Sequence, residues 1–381
     1  MHLATLTLEQ FRTYQSAQLQ LTEPLTVCVG RNAAGKSNLL EAIRLLSTTH
    51  PVHATRDAHL IKHGTGFARV TGHFTSAERD HELLCVLDTA TGRTKKLWRL
   101  QGAPKTSRAV VGLLTTLLFK PEDVDVLQKS ASARRAILDQ LLVIRDPELF
   151  TALQRMRTTL QQRQSLLEQV RAGEASDADL YDEQLVVDGA RISAARARLT
   201  QWLAERFSEY VKTIAGRPDA HAALTLYSPM IEGVSTTPTT ESEWVAAYRS
   251  SISNMRDREI ASARNLVGPH REDVHITYND QVLREFGSRG EWRSAVIGLL
   301  LASSDYIESR TKERPILLLD DVFSELDEHR RARLLPYLDR QQTIITTADQ
   351  NELPESIRAK AAHYTISNGT ITLATTHALA A

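Results

Sequence analysis

The sequence predicts an α/β fold in which a sheet-forming region is split by a long helical insertion. Strand patterns fill the first part of the chain, 1–130. Almost no strand signals follow from about 131 to 214, where apolar residues recur at helical spacing, and another helix is predicted up to about 265. Short apolar runs and an Asn-Gly hairpin signal return over 266–381. We therefore predict one α/β domain built from the two outer parts, with a helical lobe inserted between them.

Composition permits this arrangement and limits the classes of function. The 381 residues exceed one typical domain, and 46 basic residues balance 46 acidic ones, so the formal net charge is zero. A nucleic-acid binder of this composition needs a local basic patch. Cys28 and Cys85 lie in apolar runs, which indicates buried thiols in a reduced, cytoplasmic protein. We see neither a signal-peptide pattern nor an apolar run of ~20 residues, so we expect no membrane partner.

The first part of the chain reads as strands that feed a helix. Leu25–Val29 is a short apolar run and predicts a strand, whereas 36–46 repeats apolar residues at helical spacing. Three later segments predict further strands, 68–74, 81–87 and 95–100.

The middle part carries helix start signals. Asp146 before Pro147 predicts a helix start, because Asp accepts free N–H groups and Pro is tolerated in a first turn. A long helix is predicted over 176–214, and Thr240 with Glu243 forms a capping-box pair before another helix. The heptad pattern is not sustained with paired edge charges, so a plain helical subdomain is favoured over a long coiled coil.

The last part returns to alternating strands and helices. The pattern predicts a strand at 274–278, a helix at 290–307 and buried parallel strands at 316–319 and 342–346. Asn368 followed by Gly369 is a strong signal for a two-residue hairpin.

The strongest local motif fits the pattern G-x-x-x-x-G-K-[ST] of a P-loop. It consists of Gly30, Arg31, Asn32, Ala33, Ala34, Gly35, Lys36 and Ser37, and Asn38 follows in the predicted helix. Backbone N–H groups of such a loop surround phosphate oxygens, and the helix N-terminus adds positive potential. Lys36 would reach the β- and γ-phosphates of ATP, and the Ser37 hydroxyl would take one Mg²⁺ position. The alternative is a Gly-rich turn with a solvated lysine.

A pair of carboxylates follows a buried strand, as a P-loop ATPase requires. Asp320 and Asp321 come directly after four aliphatic residues. Asp320 would hold Mg²⁺, and Asp321 would orient or deprotonate the attacking water. The alternative is a strand-end pair that faces solvent. Two adjacent carboxylates are costly without a nearby cation, which favours the metal site.

A third motif lies at the start of the helix predicted at 290–307. Its residues are Ser288, Arg289, Gly290 and Glu291, and they offer a hydroxyl and free N–H groups at a helix start. A common Gly–Ser turn is the alternative. The motif stands shortly before the carboxylate strand, the order found in ABC-type ATPases, where the signature of one subunit closes over ATP held by another. Ser324 and Asp327 then occupy the D-loop position.

The chain resembles the RecF family of bacterial DNA-gap repair ATPases over nearly its whole length. The segments that carry the resemblance are "FRTY" at 11–14, "GRNAAGKSNLLEAI" at 30–43, "FKPEDVDVLQKSASARRAILD" at 119–139, "GPHRED" at 268–273 and "LLLDDVFSELD" at 317–327. Two places depart from the family pattern: His53 stands near an expected Arg, and Glu291 and Trp292 replace a Gln pair. Thr346-Thr347-Ala348 occupies the position of the switch histidine of ABC transporters, as in RecF-like proteins.

The resemblance implies an ABC/SMC-type P-loop ATPase head with an inserted helical second lobe. It implies binding of ATP and Mg²⁺, an ATP-dependent homodimer and weak, DNA-stimulated ATP hydrolysis. It also implies binding to double-stranded DNA beside single-strand gaps, and work with RecO and RecR to load RecA. By the same resemblance, Arg12 would touch a phosphate and Glu122 would sense metal or water.

DNA contacts of this kind would come from cations that face phosphates. Lys129, Arg134 and Arg135 are candidates because they cluster before a predicted helix, and the alternative is a solvated basic helix start.

Three other functions compete. A transporter nucleotide-binding subunit would need a switch histidine and a shorter insertion. A non-hydrolysing ATP-gated DNA scaffold would carry the same motifs. Another repair ATPase of this class would carry a long heptad arm.

Overall fold

The computed structural model describes residues 1–49, 57–90, 92, 94–144, 146–175, 177–231 and 237–374. The chain forms two compact units. The first unit, here called the head, contains Met1–Asp125, Tyr210–Asp219 and the chain from Arg289 onward. The second unit, here called the lobe, contains Val126–Glu209 and Ala220–Ser288.

The head contains two six-stranded sheets. The strands of the first sheet are β1 (His2–Phe11), β2 (Tyr14–Gln20), β4 (Phe67–Ser76), β5 (Arg79–Asp88), β6 (Lys95–Leu100) and β7 (Ala103–Lys105). They are antiparallel in the order β2-β1-β4-β5-β6-β7. The strands of the second sheet are β3 (Leu25–Val29), β8 (Thr116–Phe119), β12 (Ile316–Asp320), β13 (Thr343–Thr347), β14 (Ala362–Ser367) and β15 (Thr370–Leu373). Their order is β15-β14-β3-β13-β12-β8, and all are parallel except β15.

One helix packs against both sheets of the head. The helices that lie in the head are α1 (Lys36–Thr48), α2 (Ser107–Val110), α9 (Arg289–Thr311), α10 (Val322–Glu325), α11 (Glu328–Leu338) and α12 (Glu355–Lys360). The apolar side of α1, including Leu39, Ile43 and Leu46, is buried in the same cluster as residues of both sheets. The predicted buried thiols belong to this cluster too, and desolvation raises the pKa of Cys28 and of Cys85 to about 12.

The lobe combines helices with a small antiparallel sheet. Its helices are α3 (Glu122–Lys129, which begins in the head), α4 (Ala131–Leu142), α5 (Pro147–Ala172), α6 (Asp182–Ala215, which ends in the head), α7 (Glu241–Ser262) and α8 (Leu283–Phe286). Its strands are β9 (Ala222–Tyr227), β10 (Asp273–Tyr278) and β11 (Gln281–Val282), in the order β11-β10-β9. None of the helices in the described ranges combines the length and the apolar character that a membrane crossing requires.

The predicted helix starts of the lobe are confirmed at two of three places. The Asp146 carboxylate accepts a hydrogen bond from the Leu149 N–H at 2.9 Å and caps α5. Thr240 and Glu243 form the capping box of α7. The long helix, however, begins at Asp182 and not near 176. The Asp177 side chain accepts from the Asp179 N–H at 2.7 Å, and such local bonds compete with a helix.

The boundaries of the two compact units differ from the domain boundaries that the sequence pattern predicts. The lobe begins at Val126 and extends to Ser288, whereas the pattern placed the helical insertion at 131–265. The segment after 265 joins the lobe because β10 pairs with β9. The lobe is therefore not purely helical, and Tyr210–Asp219 belongs to the head.

Candidate functional site

Three neighbouring parallel strands end at the same edge of the second sheet. Strand β13 lies between β3 and β12, and Thr346 pairs with Asp320 on one side and with Cys28 on the other. The carboxyl ends of parallel strands are the usual ligand-binding edge of an α/β sheet. This register brings the loop after β3, the end of β13 and the two carboxylates at the end of β12 next to one another.

The predicted P-loop is anchored to this edge and to the β1–β2 turn. The Gly30 N–H donates to the Thr347 carbonyl at 3.2 Å, and the Tyr14 hydroxyl donates to the Gly35 carbonyl at 2.9 Å. Gly35 has a φ of 116°, and a Cβ there would lie 2.8 Å from the Thr13 hydroxyl oxygen. Only glycine fits this backbone conformation without strain. The loop that precedes α1 is therefore fixed at both ends.

Lys36 connects the loop to the carboxylates. Its side chain is only 4% exposed. The ammonium donates to the Gly30 carbonyl at 2.9 Å and lies 3.6 Å from a carboxylate oxygen of Asp321. A buried ammonium must be paired, and here both partners belong to the predicted site. This geometry differs from a solvated lysine on a Gly-rich turn.

The two carboxylates occupy different environments. Asp320 is buried and accepts a hydrogen bond from the Thr346 hydroxyl. Asp321 has a left-handed backbone conformation, and its N–H donates to the Thr346 carbonyl at 3.0 Å. Burial raises the pKa of Asp321, Lys36 opposes that rise, and Asp320 adds to it. A carboxyl with a raised pKa beside a cation is suited to proton transfer.

Thr346 was not identified as a site residue from the sequence. It is the hydroxyl partner of Asp320 and the backbone partner of Asp321. The sequence shows a pair of threonines at the end of a predicted parallel strand, but it does not show the order of the strands in the sheet. Which strand neighbours β12 could therefore not be read in advance.

The donor set is compatible with Mg²⁺ bound together with phosphate oxygens. Ser37 lies in the first turn of α1 and is exposed, and Asp320 offers a carboxylate at the end of β12. Among the described residues no group of three or more His, Cys, Asp or Glu side chains could hold a metal ion by itself. Magnesium is usually held by one or two protein oxygens, waters and substrate phosphates, which fits this arrangement.

The other predicted nucleotide contacts lie on the exposed side of the loop. Arg31, Asn32 and Ala33 are exposed, and the Ala34 N–H donates to the Arg31 carbonyl at 3.1 Å. The Asn38 amide donates to the Thr13 hydroxyl at 3.1 Å.

Arg12 is held by the P-loop helix. Its guanidinium makes two hydrogen bonds to the buried Glu41 carboxylate, at 2.8 and 3.0 Å. A phosphate contact by Arg12 would have to share the guanidinium with Glu41. Lys62, which the sequence gave no reason to select, donates to the Thr13 carbonyl at 3.0 Å beside the same loop.

Glu122 is exposed and is the first residue of α3. The neighbouring Asp123 bonds to the backbone just before α3, since its carboxylate accepts a hydrogen bond from the Lys120 N–H at 2.8 Å. The His53 position, where an Arg was expected, lies outside the described residues.

The predicted signature residues lie at the start of α9, and the predicted D-loop residues lie in α10 and just before α11. Arg289 and Gly290 begin α9, and the exposed Ser288 directly precedes it; Glu291 lies in the first turn of α9. The Ser324 hydroxyl donates to the Asp321 carbonyl at 2.7 Å, which ties the D-loop to the carboxylates. Asp327 caps α11 by accepting from the Arg330 N–H at 2.9 Å.

The three candidate DNA-contacting cations lie in different environments. Lys129 is exposed, as expected. Arg134, in contrast, is 5% exposed and donates to both carboxylate oxygens of Asp273 at 2.8 Å. Arg135 donates to the Glu272 carbonyl, and burial together with Arg196 lowers its pKa. Both arginines tie parts of the lobe together, so a phosphate contact would first have to break these bonds.

The chain is similar to a known protein family and to named bacterial proteins over nearly its whole length. The family described as "RecF/RecN/SMC N terminal domain" matches residues 2–372. A protein of Lacticaseibacillus casei (strain BL23) named "DNA replication and repair protein RecF" is 32% identical, over 97% of this chain and 99% of the relative. A protein of the same name from Frankia alni is 35% identical, over 94% of this chain and 96% of the relative.

Solved structures agree with this grouping. The one described as "Structure of the recombination mediator protein RecF-ATPrS in RecFOR pathway" has a TM-score of 0.88 and 27% identity, and the match covers 98% of both chains. A second, described with RecF-ATP, has a TM-score of 0.85 and 28% identity, over 98% of this chain and 99% of the other. An Smc head bound to the C-winged helix domain of ScpA has a TM-score of 0.56 at 16% identity, over 98% of this chain and 97% of the other, and supports the ABC/SMC-type fold alone.

Proposed function

Because the chain belongs to the RecF family of DNA replication and repair proteins, we propose that it is an ATP-dependent DNA-binding protein of recombinational repair and replication. The observation that carries this proposal is the position of the Lys36 ammonium, between the Gly30 carbonyl and the Asp321 carboxylate. A P-loop lysine, its loop and the carboxylates at the end of β12 converge at one sheet edge, as ATP binding requires.

ATP would displace the present partners of Lys36. The β- and γ-phosphates are stronger acceptors than a carbonyl, so the ammonium would turn toward them while the loop amides surround the same oxygens. Ser37 and Asp320 would hold Mg²⁺, which would neutralise phosphate charge. The Asp321 carboxyl, whose pKa burial already raises, would lie beside the attacking water. Asp321 would then accept a proton from the attacking water.

The γ-phosphate would also join two copies of the chain. In this proposal Ser288 and Gly290 of a second copy complete the site, and the dimer persists only while the terminal phosphate is present. The dimer would bind double-stranded DNA beside gaps through phosphate-facing cations such as Lys129. By its family the protein would work with RecR and RecO to load RecA, in the cytoplasm.

Sedimentation tests the proposal directly. The chain would be measured with ATP, with ADP and without nucleotide, each with and without gapped duplex DNA. We expect the mass of a dimer only in the samples that contain ATP. When gapped DNA is added to those samples, we expect a larger complex. A single mass that is independent of nucleotide would contradict the proposed dimer.

Replacing Asp321 with Asn is expected to lower ATP hydrolysis by about a hundredfold, because a positioned general base typically contributes that much or more. Phosphate release in the presence of DNA is the measurement. The matched control is Asp339→Asn, a carboxylate 59% exposed in a surface pair with Lys360. Equal phosphate release by Asp321→Asn and the unaltered protein would favour the non-hydrolysing scaffold.

A further inference from the structure

The N-terminal part of α9 is bonded through arginine side chains to the first turn of α11 and to the D-loop. The Arg330 Nε donates to the Ser294 hydroxyl at 3.0 Å, and its Nη1 donates to the Asp327 carboxylate. Its Nη2 lies 3.1 Å from the position that a Cβ on Gly290 would occupy. A second tie runs from Arg293 on α9 to Glu325 in the D-loop.

Arg330 is the central member of this arrangement. Asp327 accepts from both the backbone N–H and the guanidinium of Arg330, so the D-loop carboxylate is occupied within its own chain. Ser294 in turn donates to the Gly290 carbonyl at 3.1 Å. A planar guanidinium can serve several acceptors in fixed directions, which a lysine ammonium on a flexible chain cannot do.

We propose that Arg330 is a positioning residue for the ATP site of a second copy, an inference that rests on the ATP-dependent dimer proposed above. It holds the D-loop and the signature helix as one unit, so both reach the partner's nucleotide together. When the D-loop and the signature helix are already held in place, association does not lose the conformational entropy of two separately mobile segments. Close approach of Arg330 to Gly290 also places positive charge beside the turn that would meet the terminal phosphate.

Mixing two defective variants tests the inference. Lys36→Ala would inactivate the P-loop of its own copy. Arg330→Gln would displace the D-loop and the signature helix that its copy offers to the ATP of a partner. Each variant alone should release phosphate at least about tenfold more slowly than the unaltered protein. In a mixed dimer one site combines an intact P-loop with an intact signature. Because Lys36→Ala alone forms no ATP-dependent dimer, the mixture recovers at most about half of the original rate, which is reached when every dimer is mixed, since each mixed dimer has one intact site of two.

The controls separate a specific role from a general loss of structure. Arg333→Gln removes the same charge from the same helix, where Arg333 lies 3.4 Å from the Ile214 carbonyl, and should release phosphate normally. Arg330→Gln should bind ATP as a monomer with unchanged affinity and keep its thermal unfolding midpoint. Arg330→Lys should recover part of the activity. If Arg330→Gln does not fold, Ser294→Ala, which removes one acceptor of Arg330, enters the same mixing test.

The outcomes distinguish this inference from the proposed function. If the unaltered protein forms no dimer with ATP, both fail. If it does, and Arg330→Gln matches it in dimer formation and phosphate release, only the role of Arg330 fails. Absence of recovery in the mixture would also overturn the inference, because Arg330 would then act on the nucleotide of its own copy.

Discussion

Replacing Lys36 with Ala is expected to abolish the ATP-dependent dimer. The ammonium is a buried cation 3.6 Å from Asp321, and its loss leaves Asp320 and Asp321 beside the phosphates without that charge. Each hydrogen bond to a charged group contributes about 1.5–3 kcal/mol, so two lost phosphate contacts lower ATP affinity by at least about a hundredfold. Nucleotide titration and sedimentation with ATP measure the two effects.

The control is Lys95→Ala, which removes the same charge from an exposed position on β6, in the other sheet of the head. It should bind ATP and dimerise normally. If Lys36→Ala formed the nucleotide-dependent dimer as well as this control does, the ATP site would have to lie elsewhere.

Replacing Glu259 with Ala is expected to destabilise the lobe by about 3–5 kcal/mol, the usual cost of breaking a buried ion pair from one side. Glu259 and Arg163 are both fully buried and paired through two hydrogen bonds. The same carboxylate accepts from the Leu266 and Val267 N–H groups, at 2.7 and 3.2 Å. Removing it leaves a buried guanidinium and two backbone donors with fewer acceptors.

Hydrogen exchange of the amides in α5 and α7 measures this loss, because those helices carry Arg163 and Glu259. The comparison is Glu183→Ala, which breaks a surface pair with Arg249 whose side chains are 71% and 61% exposed. Exposed pairs contribute only about 0–1 kcal/mol, so exchange should change little. Equal exchange in the two variants would show that the buried pair does not stabilise the lobe.

Local signals in the sequence determined the elements and the chemistry of the P-loop. The strand Leu25–Val29, the Asp146 cap, the Thr240 capping box and the Asn368-Gly369 hairpin all depend on residues a few positions apart. Each signal is complete within one turn or one strand, so it can be read without knowing the fold. The family resemblance rests on such contiguous segments.

Tertiary structure decided which residues meet across long separations. Arg134 pairs with Asp273, Arg12 with Glu41, and Asp320 with Thr346. A basic helix start has the same sequence whether its side chains face solvent or a buried carboxylate, so its role could not be read in advance. The same holds for the limit of the lobe at Ser288, which follows from the pairing of β9 with β10. Strand pairing and the burial of charge depend on non-local packing, and packing exists only once the chain has folded.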